Sequence, residues 1–251
     1  MIDTHAHIDD KQFNPDRAEV LERAKQSEVR AVINPASSFS SNERALELSK
    51  QYKGYLFAMA GLFPTAYLKE PEKLPLVEQF IEKHKKEIIA IGEVGLDYFW
   101  SKTGPEREKQ KACFARFIEI ANETNFPIVI HARDSIDDCL QMLAKAGHTV
   151  IMHCFTGNRE QAKQCVDRGY WVTMDTNCCF SSKNKSLIKH VSLDYLLAET
   201  DSPYNHPERK GRNEPANIRQ LYELIAKEQG VEFSEIESRL DKNAAKAFKL
   251  W

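Results

Sequence analysis

Met1-Ile2-Asp3-Thr4-His5-Ala6-His7 is the stretch on which the fold of this chain depends, because a short apolar start runs directly into His-x-His. In a strand over Ile2 to His7, alternate side chains share a face, so His5 and His7 point the same way. Two imidazoles on one face at a strand end are suited to begin a metal site. The alternative is a surface strand end that carries two polar histidines. The rest of the sequence distinguishes this alternative from a metal site.

Eight short apolar runs, each followed by a longer run with helical spacing, make up the chain. The predicted strands are Ile2 to His7, Val29 to Asn34, Tyr55 to Gly61, Ile88 to Glu93, Pro127 to His131, Thr149 to His153, Tyr170 to Met174 and Leu193 to Thr200. Strands that alternate with helices pair in parallel through right-handed crossovers, and eight such units predict an α/β fold, the (β/α)8 TIM barrel. An open doubly wound sheet is the alternative, but no Gly-rich phosphate loop follows the first strand. Without a linker or repeat, residues 1–251 are predicted to form a single domain.

The composition indicates an ordinary globular protein without a strong electrostatic field. The formal net charge is −2 and hydrophobic residues make up 42% of the 251, which disfavours a protein that coats DNA, RNA or anionic lipid. The longest apolar run, Tyr55 to Phe63, is much shorter than the roughly 20 residues that span a bilayer. Six cysteines without a regular spacing suggest a reducing compartment. With no signal peptide recognised, we expect a cytoplasmic protein without a membrane or an obligate protein partner.

Polar groups that can bind metal stand where the predicted strands end. In a TIM barrel the carboxyl ends of the strands meet at the face that carries the active site. A lone histidine there is usually a hydrogen-bonded rim residue, but six such groups on five strands predict one shared metal site. They are His5, His7, Glu93, His131, His153 and Asp201.

The ligand types indicate divalent ions. Four imidazoles and two carboxylates suit Zn²⁺, Mn²⁺, Co²⁺ or Fe²⁺, and Mg²⁺ through the carboxylates. Six ligands are too many for one catalytic ion with an open position, and they fit two ions about 3.5–4 Å apart. Glu93 is the expected bridge between them. Cys154 follows His153 and is expected to face away from the site, into the core, by strand alternation.

The chain resembles the TatD family of metal-dependent deoxyribonucleases, within the amidohydrolase-type barrels. The resemblance runs from end to end and includes Asp3-Thr4-His5-Ala6-His7, Ile91-Gly92-Glu93-Val94-Gly95-Leu96-Asp97-Tyr98, Pro127-Ile128-Val129-Ile130-His131-Ala132-Arg133-Asp134, His153-Cys154-Phe155-Thr156-Gly157, Glu199-Thr200-Asp201-Ser202-Pro203-Tyr204 and Gly211-Arg212-Asn213-Glu214-Pro215. It implies a two-metal hydrolase of DNA phosphodiesters, which usually attacks from a 3′ end. It also implies one ion held by His5, His7, Glu93 and Asp201, and another held by Glu93, His131 and His153. The cofactors would be two ions of Mg²⁺, Mn²⁺ or Zn²⁺ per chain, and the substrate single-stranded DNA or DNA 3′ ends.

One residue departs from the family pattern. The family commonly has Gly-x-His-Pro after the third strand, whereas this chain has Gly61-Leu62-Phe63-Pro64. Phe63 is expected to face substrate, so metal binding should survive, but an imidazole that could donate to a phosphate oxygen is missing. His206, from another loop, is a possible replacement.

The expected catalytic residues are Asp201, as proton acceptor for the attacking water, and Glu93, as the bridging ligand. Arg133 is expected to bind phosphate, or alternatively to pair with Asp134 or Asp97. Arg212, in the basic loop between residues 205 and 213, is the other expected phosphate contact. The aromatic run Tyr98-Phe99-Trp100 is suited either to stack on bases or to form a lid.

Two other functions remain open from the sequence. The same barrel and metal centre would serve a hydrolase of a carboxylic ester, a lactone or a cyclic amide, since no residue identifies the leaving group. A nucleic-acid-binding protein without catalysis is the second alternative, and the complete ligand set argues against it.

Overall fold

Eight short strands, paired in parallel and in chain order, form the centre of the computed structural model, which describes residues 1–251. This confirms the predicted (β/α)8 barrel. The strands are Ile2–Asp3 (β1), Ala31–Asn34 (β2), Leu56–Ala60 (β3), Ala90–Asp97 (β4), Ile128–Arg133 (β5), Val150–Met152 (β6), Trp171–Asp175 (β7) and Leu196–Glu199 (β8).

Ten α-helices surround the strands, and none is long and apolar enough to cross a membrane. They are Arg17–Gln26 (α1), Phe39–Gln51 (α2), Pro64–Lys69 (α3), Leu74–His84 (α4), Gly104–Thr124 (α5), Ile136–Met142 (α6), Arg159–Asp167 (α7), Ser182–Leu187 (α8), Ile218–Gln229 (α9) and Phe233–Phe248 (α10). Three helices begin with a capping box, in which the N-cap side chain accepts from the backbone N–H three residues later and the side chain of that residue accepts from the N-cap N–H. The N-cap residues are Ser38 of α2, Thr103 of α5 and Asn158 of α7.

The ring of strands is closed between β1 and β8 by the segments that follow them. Thr4 N–H donates to Ala198 O, Asp201 N–H donates to His5 O, and His7 N–H donates to Ser202 O at 2.7 Å. The first strand therefore ends at Asp3, and the prediction that it runs to His7 is wrong. His5 and His7 lie in the segment bonded to β8, which brings them beside Asp201.

The apolar core consists of two layers. The larger, of 52 buried residues, fills the space between strands and helices. The smaller contains residues from all eight strands, such as Ile2 and Leu197, together with Ala244, Ala247 and Phe248 of α10. Most of its strand residues lie in the first two positions of their strands, so α10 closes the amino end of the barrel. The opposite end is left for the cavity.

Candidate active site

A cavity of about 950 Å³ opens at the carboxyl ends of the strands. His7, Glu93, His131, His153 and Asp201 line it together. The sixth predicted ligand, His5, lies directly beneath, with its ring stacked on that of His153 at 3.7 Å between centroids. The structure thus brings all six predicted metal ligands into one place.

Four of these ligands converge on one point. The Nε2 atoms of His5 and His7 are 3.3 Å apart. Glu93 Oε2 lies 3.6 Å from His5 Nε2 and 3.7 Å from His7 Nε2. Asp201 Oδ1 lies 3.9 and 3.6 Å from the same two nitrogens. These separations all lie between 3.3 and 3.9 Å, as expected for ligand atoms around a common centre.

The second group forms around the other oxygen of the same carboxylate. Glu93 Oε1 lies 2.8 Å from His131 Nδ1 and 3.5 Å from His153 Nε2. Glu93 is 2% exposed, so its carboxylate is almost completely enclosed. Its two oxygens point to different groups. This is the arrangement of a bridging carboxylate.

These residues fit divalent ions. Two ligands at about 2.1 Å from a tetrahedral ion are separated by about 3.4 Å, close to the spacings of the first group. The Nε2 atoms of His5 and His7 point at one another, which suits two ligands of one ion. The buried Nδ1 of His5 has no hydrogen-bond partner in the protein, so the imidazole is not oriented by a carboxylate behind it.

Carboxylates that the sequence analysis did not select support two of the histidines. Asp97 Oδ2 lies 3.0 Å from His131 Nε2, and Glu199 Oε1 lies 2.7 Å from His153 Nδ1. Each contact occupies the ring nitrogen that faces away from Glu93. Such a carboxylate fixes the orientation of the ring and strengthens the imidazole as a ligand.

The pKa values reflect this crowding of charge. Burial would lower the pKa of His153, but Glu199 and Glu93 outweigh it and raise the pKa to about 10. Burial would likewise raise the pKa of Glu93, yet His153 and His131 hold it well below its usual range. Without metal, therefore, Glu93 is charged and His153 carries a proton.

Strand β4 extends further than predicted, and this extension places Asp97 in the site. The prediction ended the strand at Glu93, whereas it continues to Asp97, with an irregularity against β5 between Ile91 and Val94. Gly95 has φ +137°, and a Cβ atom there would collide with the carbonyl oxygen of His131. Glycine at this position lets β4 and β5 approach closely enough for Asp97 to reach the imidazole.

Asn205 lines the cavity beside Asp201, and Asp175 lies buried next to it. Asp175 ends β7 and is buried, and Asn205 Nδ2 donates to Asp175 Oδ2 at 2.7 Å and to Asp201 Oδ2 at 3.0 Å. Burial, together with Asp201 and Glu199, raises the pKa of Asp175 well above its usual range. Asp97, Asp175 and Glu199 are the last residues of their strands, so the strand-end argument would have found them with correct strand boundaries.

Phe63 and Arg133, the two residues expected to face substrate, both line the cavity. The Phe63 ring meets the His131 ring edge-on at 4.5 Å between centroids. The Arg133 guanidinium lies 3.8 Å from the centre of the Phe99 ring. Arg133 does not form the alternative ion pair with Asp134 or Asp97, so its donors remain free.

Arg212 and His206 are not brought to the cavity. The Arg212 guanidinium donates two hydrogen bonds to Asp16, at 2.7 and 2.6 Å, and a third to Gln12 O. It holds the loop after β8 against the beginning of α1, a structural role that removes its donors from phosphate. His206 Nδ1 accepts a hydrogen bond from Glu208 N–H within its own loop.

Cys154 does not follow the expected alternation. Its φ of +43° departs from strand geometry and turns the thiol toward the cavity rather than the core. The sulfur lies 3.8 Å from Asn177 Nδ2 and close to the ligand atoms of His153 and Asp201. The prediction that it packs in the core is wrong, because a positive φ cannot be read from strand periodicity.

Comparison with known proteins identifies the family. Residues 2–249 match the model of the TatD related DNase family. The chain belongs to the TatD-related DNase family. An uncharacterized metal-dependent hydrolase from Methanocaldococcus jannaschii is 36% identical, over 99% of this chain and 96% of that protein. A 3′-5′ ssDNA/RNA exonuclease TatD from Pectobacterium carotovorum is 28% identical and matches over the whole length of both proteins.

Solved TatD structures have the same architecture. The crystal structure of the TatD homologue YJJV from Escherichia coli K12 superimposes with a TM-score of 0.93, at 28% identity and over 99% of this chain and 98% of that one. The family and the prediction of a metal-dependent hydrolase are thereby confirmed.

Proposed function

We propose that this TatD-family protein is a metal-dependent phosphodiesterase that cuts DNA with two divalent ions, Mg²⁺, Mn²⁺ or Zn²⁺, as cofactors. The observation that carries the proposal is the division of the Glu93 carboxylate, which presents one oxygen to each of two ligand groups. That arrangement suits hydrolases that use a pair of ions. Membership of a DNase family and the name of the ssDNA/RNA exonuclease relative support single-stranded nucleic acid, cut from a 3′ end, as the substrate.

In this proposal His5, His7, Glu93 and Asp201 would hold one ion, and Glu93, His131 and His153 the other. When bound, the ions would lower the pKa of a water molecule and neutralise charge on the phosphoryl oxygens.

Asp201 is the proton acceptor that we propose. Burial would raise its pKa, but the contact with His7 and the charge of His153 lower it, so the carboxylate is ionised. Asn205 donates to Oδ2 and holds the side chain in one orientation. The ionised carboxylate, held in this orientation, can then take a proton from the attacking water.

Arg133, on the β5 side of the cavity, is the residue that we propose to position the phosphate. Its guanidinium lies over the Phe99 ring and has no acceptor within the protein, so it can donate two parallel hydrogen bonds to phosphate oxygens. Phe63 beside it contributes an apolar wall and no donor.

Metal analysis and an oligonucleotide assay test the proposal together. Purified protein should bind up to two divalent ions, and with Mg²⁺ or Mn²⁺ it should shorten a labelled single-stranded oligonucleotide from one end. Asp201→Asn should keep its fold, as judged by melting temperature, and lose activity by about 100-fold or more. Failure to bind metal would contradict the proposal. Failure with both DNA and RNA, alongside turnover of a lactone, would instead favour the ester hydrolase.

A further inference from the structure

Exposed aromatic side chains gather around the cavity. Six large apolar side chains of the chain are exposed, and four of them follow strands at the carboxyl end of the barrel: Phe99, Trp100, Phe180 and Tyr204. Trp100 is 65% exposed and Tyr204 is 50% exposed, and both line the same cavity as the metal ligands. A lid that packs on its own barrel would bury these rings, so they are free for a ligand.

Trp100 and Tyr204 stand on opposite sides of the cavity. Trp100 follows β4 and Tyr204 follows β8, and the eight strands are arranged in chain order. Three strands lie between β4 and β8 in either direction around the closed ring, so the loops after them face each other. The metal ligands lie between the two rings.

A cation accompanies the aromatic residues on each side. Arg133 lies over Phe99 next to Trp100, and Arg209 lies over Phe180 at 4.9 Å, on the Tyr204 side. Neither guanidinium forms an ion pair, unlike that of Arg212. Arg133 and Trp100 both line the cavity, so their side offers an exposed ring and a free cation, the combination that binds an unpaired base with its phosphate. Arg209 and Phe180 are not part of the lining.

We propose that Trp100 and Tyr204 stack on the two bases that flank the bond to be cut, while Arg133 contacts the adjacent phosphate. The inference rests on the proposed function and names its substrate class: a nucleic acid strand with unpaired bases, one on each side of the metal centre. In a duplex the bases stack on each other and do not offer their faces to protein rings, so duplex ends must fray before they bind.

Two oligomers with the same backbone isolate the role of the bases. One is a fluorescein-labelled oligothymidylate, and the other carries tetrahydrofuran abasic residues throughout. Binding is measured by anisotropy in EDTA, where no hydrolysis occurs, and cleavage is measured with Mn²⁺. The unmodified protein should bind the oligothymidylate roughly tenfold more tightly than the abasic strand.

Substitutions then assign the preference to the rings. Trp100→Ala and Tyr204→Ala should each remove most of the preference for bases, whereas Trp100→Phe and Tyr204→Phe should retain it. Trp251→Ala is the matched control, because that ring is also exposed but lies outside the cavity, and it should leave the preference unchanged. Alanine variants that keep the full preference, or that lose affinity for both oligomers equally, would overturn the proposal.

The two proposals fail in different ways. If the unmodified protein with Mn²⁺ hydrolyses neither oligomer, the proposed function is wrong, and binding in EDTA still decides whether the rings stack on bases. If it hydrolyses both strands at equal rates and binds them equally, the nuclease proposal stands and base stacking is overturned.

Discussion

His131 lies between two carboxylates, with Glu93 near Nδ1 and Asp97 near Nε2. Asp97 holds the ring so that Nδ1 points into the ligand group, and a neutral amide would orient and polarise it less well. We expect Asp97→Asn to weaken the binding of one metal ion by about 10- to 100-fold. Competition with a chromophoric chelator measures this affinity.

Asp134→Asn is the control for that substitution. Asp134 is an exposed carboxylate of the same cavity and makes no contact with a ligand, so its removal changes the local charge by the same amount. Equal loss of affinity in both variants would show that charge alone, and not the orientation of His131, determines metal binding.

Phe63 provides a second prediction. Because its ring lines the cavity beside His131, Phe63→His would place a hydrogen-bond donor where phosphate is proposed to bind. Turnover of an oligonucleotide should rise roughly tenfold or more, with unchanged metal affinity. Phe63→Leu keeps the wall apolar and should leave turnover near its original value. Steady-state kinetics on both variants test this, and equal rates would mean that the ring has only a packing role.

At the level of single residues, the sequence predicted the side chains that stand at the ends of strands. The six ligands His5, His7, Glu93, His131, His153 and Asp201 needed only the count of strands. Arg212 could not be judged in this way, because its partner Asp16 is 196 positions away in the sequence. The orientation of Cys154 depended on a single backbone angle.

At the level of the secondary-structure elements, the pairing of β4 with β5 depends on Gly95. A methyl group there would meet the carbonyl oxygen of His131, and its φ of +137° is unfavourable for any other residue. We expect Gly95→Ala to destabilise the fold by about 3 kcal/mol or more. Chemical denaturation measures the loss.

Gly104→Ala is the matched substitution. Gly104 begins α5, and an added Cβ would meet no atom within 4 Å. Alanine should change stability by less than about 1 kcal/mol there. A similar loss of stability in both variants would show that the close contact between β4 and β5 does not determine the free energy of unfolding.

The boundaries of the elements were less predictable than their order. Apolar periodicity identified all eight strands, but hydrogen bonds between distant segments decided where β1 and β4 end. Helix α3 was not predicted, since its six residues are too few to show a helical period. The role of α10 in closing the barrel is likewise a tertiary contact that no local pattern reveals.

For the whole molecule, the site concentrates charge in a protein whose formal net charge is only −2. In the absence of metal, a proton on His153 offsets the neighbouring carboxylates, since their charges raise its pKa to about 10. An unfolded histidine has a pKa near 6.5. The proton therefore stabilises the metal-free fold fully below about pH 6.5, and this contribution is lost as the pH rises toward 10.

Metal ions should have the opposite pH dependence, because an imidazole binds metal only in its neutral form. An ion present at 100 times its dissociation constant stabilises the fold by about 2.7 kcal/mol, which corresponds to a rise in melting temperature of roughly 5–10 °C for a protein of this size. At a fixed, subsaturating Mn²⁺ concentration, we expect this rise to grow between pH 6 and pH 8, and EDTA to abolish it. Calorimetric titration in buffers of different ionisation enthalpy should detect protons released as the metal binds. If Mn²⁺ does not change the melting temperature at any pH, these six side chains do not form a metal site.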